Sequence, residues 1–179
     1  MLNKQTPDTV SIITLPPERW REFRALRLQA LKEEPQAFGS SHEGNLAYPD
    51  QYWIDRLINV EKGMGDILFA EDNGTLVGLM GNYFPQETPD TAVVVMVFVQ
   101  PEKRGEGIAG VLLETLLNRL RDRPEIERAA LTVNVEQKAA VALYTRFGFT
   151  IIRTTPDMMG DGNIYDEYIM EKSLRNNAP

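Results

Sequence analysis

An apolar strand that runs through a glycine turn into an amphipathic helix constrains this chain more than any other segment. Thr91-Ala92-Val93-Val94-Val95-Met96-Val97-Phe98-Val99 carries no charge, which predicts a strand buried on both faces. Gln100-Pro101-Glu102-Lys103-Arg104-Gly105-Glu106-Gly107-Ile108-Ala109-Gly110 follows. Beyond it, Ile108, Leu112 and Leu116 fall on one side of a helix and Glu114, Asn118 and Arg121 away from it, with the end set before Pro124. The first N–H groups of such a helix lack intrahelical partners and sit at the positive end of its dipole, so a pyrophosphate can rest there. Gly105 and Gly107 remove side chains where ligand oxygens approach, and Arg104 adds a permanent cation. Taken alone, the turn is equally compatible with tight packing.

A second segment narrows the choice. Leu131-Thr132-Val133-Asn134 begins as a strand, and the residues after it form a helix whose Ala140, Leu143, Tyr144 and Phe147 share one face. Gly148 then caps it.

Together the two segments resemble the GNAT family of N-acetyltransferases. Arg104, Gly107 and Ala109 meet that family's Q/R-x-x-G-x-G/A loop. Ala140, Leu143, Tyr144, Gly148 and Phe149 match its N-x-x-A-x-x-L-Y-x-x-x-G-F signature, with Gln137 where an asparagine is usual. The likeness extends over roughly residues 10 to 172 of a single domain spanning 1–179. It implies an α/β fold: a mixed, mostly antiparallel sheet of about six to seven strands, splayed at the cofactor site, with about four helices packed on both faces.

The same resemblance implies acetyl-coenzyme A as cosubstrate, no metal, and transfer of the acetyl group to the primary amine of a small molecule or peptide N-terminus by direct attack in a ternary complex. Val97, Phe98 and Val99 would hold the pantetheine arm through their backbones. Arg104, Gly105, Glu106, Gly107, Ile108 and Ala109 would hold the pyrophosphate, and Asn134, Gln137 and Tyr144 would line the opposite wall. Tyr144 is the expected acid for the departing thiolate, since a phenol with a pKa near 10 is protonated at neutral pH. The Val99 N–H is the expected oxyanion donor. The strand before the glycine loop offers no carboxylate for a base. Glu43 is the candidate in its place, with His42 and Asp90 behind it, each also explained as a solvated position. The other function class is a module that binds acetyl-coenzyme A without turnover.

Composition sets outer bounds. With 26 acidic against 19 basic residues the net charge is −7, which argues against a general nucleic-acid surface and is compatible with a cationic, amine-bearing substrate, though plain solubility explains it equally well. The absence of cysteine removes disulfides, thiolate ligands and a cysteine acyl-enzyme. Met1 to Thr9 is polar, and the run Ala92 to Val99 is far short of the roughly 20 residues of a membrane helix, so a cytoplasmic protein away from membranes is expected. A homodimer is a further expectation from the family.

Elsewhere, Val10 to Leu15 predicts a strand and Pro16-Pro17 a helix to about Lys32 that buries Trp20, Phe23, Leu26 and Ala30. Arg19, Arg21, Arg24 and Arg27 are expected on its solvated face rather than at a second anion site. Gln36 to Asp50 reads as loop, followed by a short helix with Trp53, Leu57 and Ile58. Asn73-Gly74 predicts a hairpin between Ile67–Glu71 and Thr75–Met80. A closing hairpin is expected from Thr150–Arg153 and Ile164–Met170. Its loop, Asp157 to Gly162, is no calcium site, because Met159 and Tyr168 fall at ligand positions.

Overall fold

The computed structural model describes residue 7 and residues 9–175, so most of the polar stretch Met1 to Thr9 lies outside the described residues. The elements run β1 (Val10–Ile13), α1 (Trp20–Glu33), α2 (His42–Leu46), α3 (Asp50–Glu61), β2 (Asp66–Asp72), β3 (Thr75–Tyr83), β4 (Thr91–Val99), α4 (Ile108–Arg121), β5 (Arg128–Asn134), α5 (Lys138–Arg146), β6 (Thr150–Met158) and β7 (Ile164–Ser173). No helix among the described residues is long and apolar enough to cross a membrane. The strands form one seven-stranded sheet in the order β1-β2-β3-β4-β5-β7-β6. Every neighbouring pair is antiparallel except β4 and β5.

Local sequence explains most of these elements. Asn73 and Gly74 both take positive φ, 48° and 81°, as the tight turn between β2 and β3 requires. Gly148, at φ 85°, follows α5, and Phe149 N–H donates back to Tyr144 O at 3.0 Å, the bond that closes a left-handed helix end. A helix appears inside the stretch expected to be loop. Ser41 caps α2 by accepting the Gly44 N–H at 3.1 Å, so one serine organises a single helical turn that apolar periodicity does not mark. Among the described residues the α-helices therefore number five rather than about four. The closing hairpin is also longer than expected, β6 running on to Met158.

Two apolar layers sandwich the sheet. On one face α4 buries Ile108, Leu112, Leu113, Leu116, Leu117 and Leu120, and α5 adds Tyr144. On the other, α1 and α3 bury Phe23, Leu26, Ala30, Leu31, Trp53 and Leu57. Phe23 meets Trp53 edge-on at 5.2 Å and Phe69 of β2 at 5.5 Å. Each such ring pair adds about 0.5–1.5 kcal/mol beyond its buried area, which fixes α1 and α3 against the sheet.

β4 serves both layers because it contains a bulge. Ala92 and Val94 pack toward α4, and Val97 and Val99 do so further along, whereas Val95, Met96 and Phe98 pack toward α1 and α3. Between the pairs Gly81↔Val95 and Leu79↔Phe98 the strand carries one residue more than β3, and Met96 takes φ 59°. The extra residue reverses the alternation, placing Val95 and Met96 on the same face. Gly81 is required opposite, since a Cβ there would stand 2.7 Å from Met96 Cε and 2.8 Å from Asp66 O.

Candidate functional site

The site begins where β4 and β5 part. Their parallel pairing covers Thr91↔Arg128, Ala92↔Ala129 and Val93↔Ala130 and ends there, while β4 continues to Val99 and β5 to Asn134. The diverging ends leave a gap facing the bulge.

Backbone direction decides which groups line that gap. Gln100 N–H donates to Val77 O at 2.9 Å, so by strand alternation Phe98 turns its N–H and C=O toward β3 and Val99 turns away from it. Val97 shares the orientation of Val99. The expectation that Phe98 offers its backbone to a ligand is thus corrected: those groups belong to the β3 ladder, and Val97 and Val99 face the gap. The Val99 carbonyl is taken by Arg104 Nε at 3.0 Å, leaving its N–H free among the described residues.

At the mouth of the gap the chain makes the glycine turn. Gly105 and Gly107 adopt φ 79° and 81°, a region that a side chain makes costly, and α4 starts directly after Gly107 with no side-chain cap. The amides of Gly105, Glu106, Gly107, Ile108, Ala109 and Gly110 find no protein acceptor among the described residues; Val111 is the first to bond, to Gly107 O at 3.1 Å. Ile108, 1% exposed, pins the helix start into the core. A run of donors at the positive end of a fourteen-residue helix fits a phosphate-bearing ligand. Arg104 does not extend freely into this cradle as expected: besides Val99 O it bridges Glu34 Oε1 at 2.8 Å. Glu106 stands 3.9 Å from Lys103 Nζ, which is itself held by Asp72 at 2.7 Å.

α5 supplies the opposite wall. Tyr144 is 4% exposed, edge-on to Phe149 at 5.9 Å, and burial pushes its phenol well above the ordinary value. Its hydroxyl has no protein partner among the described residues and is not one of the sealed polar atoms. Asn134 differs from expectation. Its side chain is engaged at both ends, donating to Gln36 O at 3.3 Å and accepting from Glu136 N–H at 2.9 Å, so it clamps the loop rather than presenting a free amide. Gln137 precedes α5, half-buried.

On the α1–α3 face, a cavity of about 300 Å³ abuts the bulge. Val95 and Met96 form its floor, with Phe23, Tyr48, Tyr52, Trp53 and Tyr83 around it, and its charged lining residues are Arg27 and Arg56. Arg27 overturns the expectation of a solvated arginine face: it is 7% exposed, donates to Ser40 Oγ at 2.9 Å, and lies 4.5 Å over the Phe38 ring. The signal was present in the spacing, because Arg27 sits four residues after Phe23 and three before Ala30, inside the apolar stripe of α1. Arg56, three residues after Trp53 on α3, is legible in the same way.

The candidate bases are not in this cavity. Glu43 lies in the first turn of α2 with its side chain 86% exposed and His42 Nδ1 3.9 Å away; the Ser41 cap orients that turn outward. Asp90 accepts from Thr91 and pairs with Arg128 at 2.8 Å at the start of β4, which holds its carboxyl below the usual range, and the bulge lies toward the other end of that strand. A carboxylate that sequence reasoning missed, Glu167, lies buried on β7 opposite Asn134.

A parted sheet beside a bulged strand, with bare amides at a helix start, defines a cleft for a long ligand ending in phosphate. The chain matches the Acetyltransferase (GNAT) family over residues 23–149, and it belongs to that family. It is 31% identical over 160 residues to a mycothiol acetyltransferase of Thermobispora bispora, covering 87% of this chain and 50% of that protein. It is also 31% identical over 80 residues to an L-2,4-diaminobutyric acid acetyltransferase of Nocardia farcinica, covering 45% of this chain and 41% of that one. The chain thus spans about half the length, or less, of these curated relatives. Among solved structures, a GNAT-family acetyltransferase from Streptococcus pneumoniae superposes with a TM-score of 0.82 at 20% identity, covering 93% of this chain and 99% of that one. The Salmonella typhimurium protein yncA, solved with acetyl-CoA, gives 0.79 at 17%, covering 95% and 96%. These structural likenesses establish the fold.

Proposed function

We propose that this domain transfers an acetyl group from acetyl-CoA to a primary amine held in the α1–α3 cavity, by direct attack while both substrates are bound. The observation that carries the reading is the run of bare amides from Gly105 to Gly110 at the end of a gap lined by the Val97 and Val99 backbones. Those amides hold the pyrophosphate, and the strand groups hold the pantetheine arm in place of a β5 partner. Acetyl-CoA supplies an activated thioester. As the C–N bond forms and the C–S bond breaks, the Val99 N–H donates to the carbonyl oxygen that gains charge, and Tyr144 donates its proton to the departing sulfur. Burial keeps that phenol protonated at neutral pH.

The amine's proton leaves without a carboxylate or imidazole to take it, since neither lines the cavity among the described residues. The nucleophile is therefore the fraction of amine already neutral in solution, with water as proton acceptor. The compound named for one relative, L-2,4-diaminobutyric acid, carries amines and is consistent with this reading. Release of free thiol from acetyl-CoA across a panel of amines tests the proposal, with tight cofactor binding and no release above background hydrolysis pointing instead to a binding module.

A further inference from the structure

We propose that the acceptor amine carries a compact anionic group, a carboxylate or phosphate, which Arg27 and Arg56 hold in the α1–α3 cavity while the amine faces Val95 and Met96. The inference deepens the acetyl-transfer reading and rests on it.

Among the described residues the two arginines are cations without counter-ions. Neither has a carboxylate within ion-pair distance among the described residues, and no acidic residue lines the cavity. Arg27 Nη1 is sealed from solvent and has no hydrogen-bond partner, although Nη2 is satisfied by Ser40. An arginine 7% exposed is ordinarily paired, because burying a lone charge is strongly unfavourable. Burial, reinforced by the charge on Arg56, lowers the Arg27 pKa to about 10, so the guanidinium remains charged at neutral pH. Arg56 is aimed at the bulge by its own contacts, donating to Tyr52 Oη at 3.2 Å and to Met96 Sδ at 3.5 Å. With Arg27 and Arg56 as its charged lining, the pocket selects against a purely cationic polyamine although the chain carries a net charge of −7. The cofactor's phosphates do not account for the pair, since the α4 helix start belongs to the layer on the opposite face of the sheet. A cavity of about 300 Å³ suits a small zwitterion such as an amino acid.

The test uses the full chain and matched compounds: L-amino acids, their amides and their decarboxylated amines, together with glucosamine 6-phosphate against glucosamine. Both thiol release and direct calorimetric binding are measured. An anionic member is expected to exceed its neutral counterpart by about tenfold or more in kcat/KM and in affinity, the scale of one charge-assisted hydrogen-bonded pair. The carboxylate and phosphate arms identify which anion fits. Arg27→Gln and Arg56→Gln should each remove the preference, and Arg27→Lys should restore part of it; a merely structural arginine would lower stability in all three without changing the ratio. Equal or better use of the neutral compounds, a preference that persists in both Gln variants, faster acetylation of uncharged peptide N-termini, or no binding by any anionic compound would overturn the inference. Thiol release without an anion preference defeats it while sparing the acetyl-transfer reading. Anion binding that both variants lose, with no thiol release from any compound, does the reverse.

Discussion

Arg104 Nε donates to the carbonyl of Val99 at 3.0 Å, and the same guanidinium bridges Glu34 at the end of α1. One side chain thus ties the glycine turn, the end of β4 and the first helix together. It orients the Val99–Gln100 peptide, next along the chain from the Phe98–Val99 peptide whose N–H is the proposed oxyanion donor, instead of reaching freely for a phosphate. Arg104→Ala is expected to weaken acetyl-CoA binding about tenfold and to lower kcat by a similar factor, the scale of one charge-assisted hydrogen bond. A loss confined to binding, read by calorimetry beside steady-state kinetics, would assign Arg104 to the phosphates alone.

Gly107 holds φ 81° immediately before α4. An aspartate there meets both backbone strain, roughly 1–2 kcal/mol, and repulsion from bound phosphate. Gly107→Asp should lower Tm modestly and reduce acetyl-CoA affinity more than tenfold. Unchanged affinity in a folded variant would remove the cradle from this turn.

Tyr144 carries a hydroxyl without a protein partner among the described residues, on a ring that is otherwise buried. Tyr144→Phe removes the acid and leaves the packing, so kcat should fall by about 10²-fold with Tm and acetyl-CoA affinity nearly unchanged. A fully active variant would dismiss the phenol from the reaction.

With no base in the cavity and with burial holding the phenol above its ordinary value of 10.0, the pH profile has a definite shape. kcat/KM should climb with pH up to the acceptor's own amine pKa, with no descending limb from Tyr144 in the neutral range. An inflection well below the amine pKa that Glu43→Gln abolishes would identify Glu43 as the base.

Glu167 provides a stability prediction. Burial raises its pKa from the ordinary 4.5, Asp157 pushes the same way, and a hydrogen bond with Thr132 opposes them. The folded protein therefore holds this proton more tightly than the unfolded chain, and its contribution to stability fades as pH rises above 4.5. Glu167→Gln should raise Tm at pH 7–8 relative to the unmodified protein, with the advantage vanishing below about pH 4. A thermal melt showing no such pH-dependent difference would count against the shift.

Much of the fold was legible in the chain because its signals are local. The Asn73-Gly74 turn, the buried stripe of α1, the glycine turn before α4 and the cap at Gly148 each follow from torsional preference or from periodicity within one element. α2 was not, since a five-residue turn capped by Ser41 has no periodicity to display.

The chemical alphabet of the site, its glycines, Tyr144 and the apolar strand, is written in residue order, because a helix start and a strand end need only neighbours along the chain. Where β4 leaves β5, which strand amides remain free, and how Arg27 and Arg56 come to face one cavity depend on residues far apart in the chain. The bulge at Met96 shows why. An apolar run is the same string of letters with or without an extra residue in the ladder, and the pairing with β3 and the rings packed behind it settle which face each side chain takes.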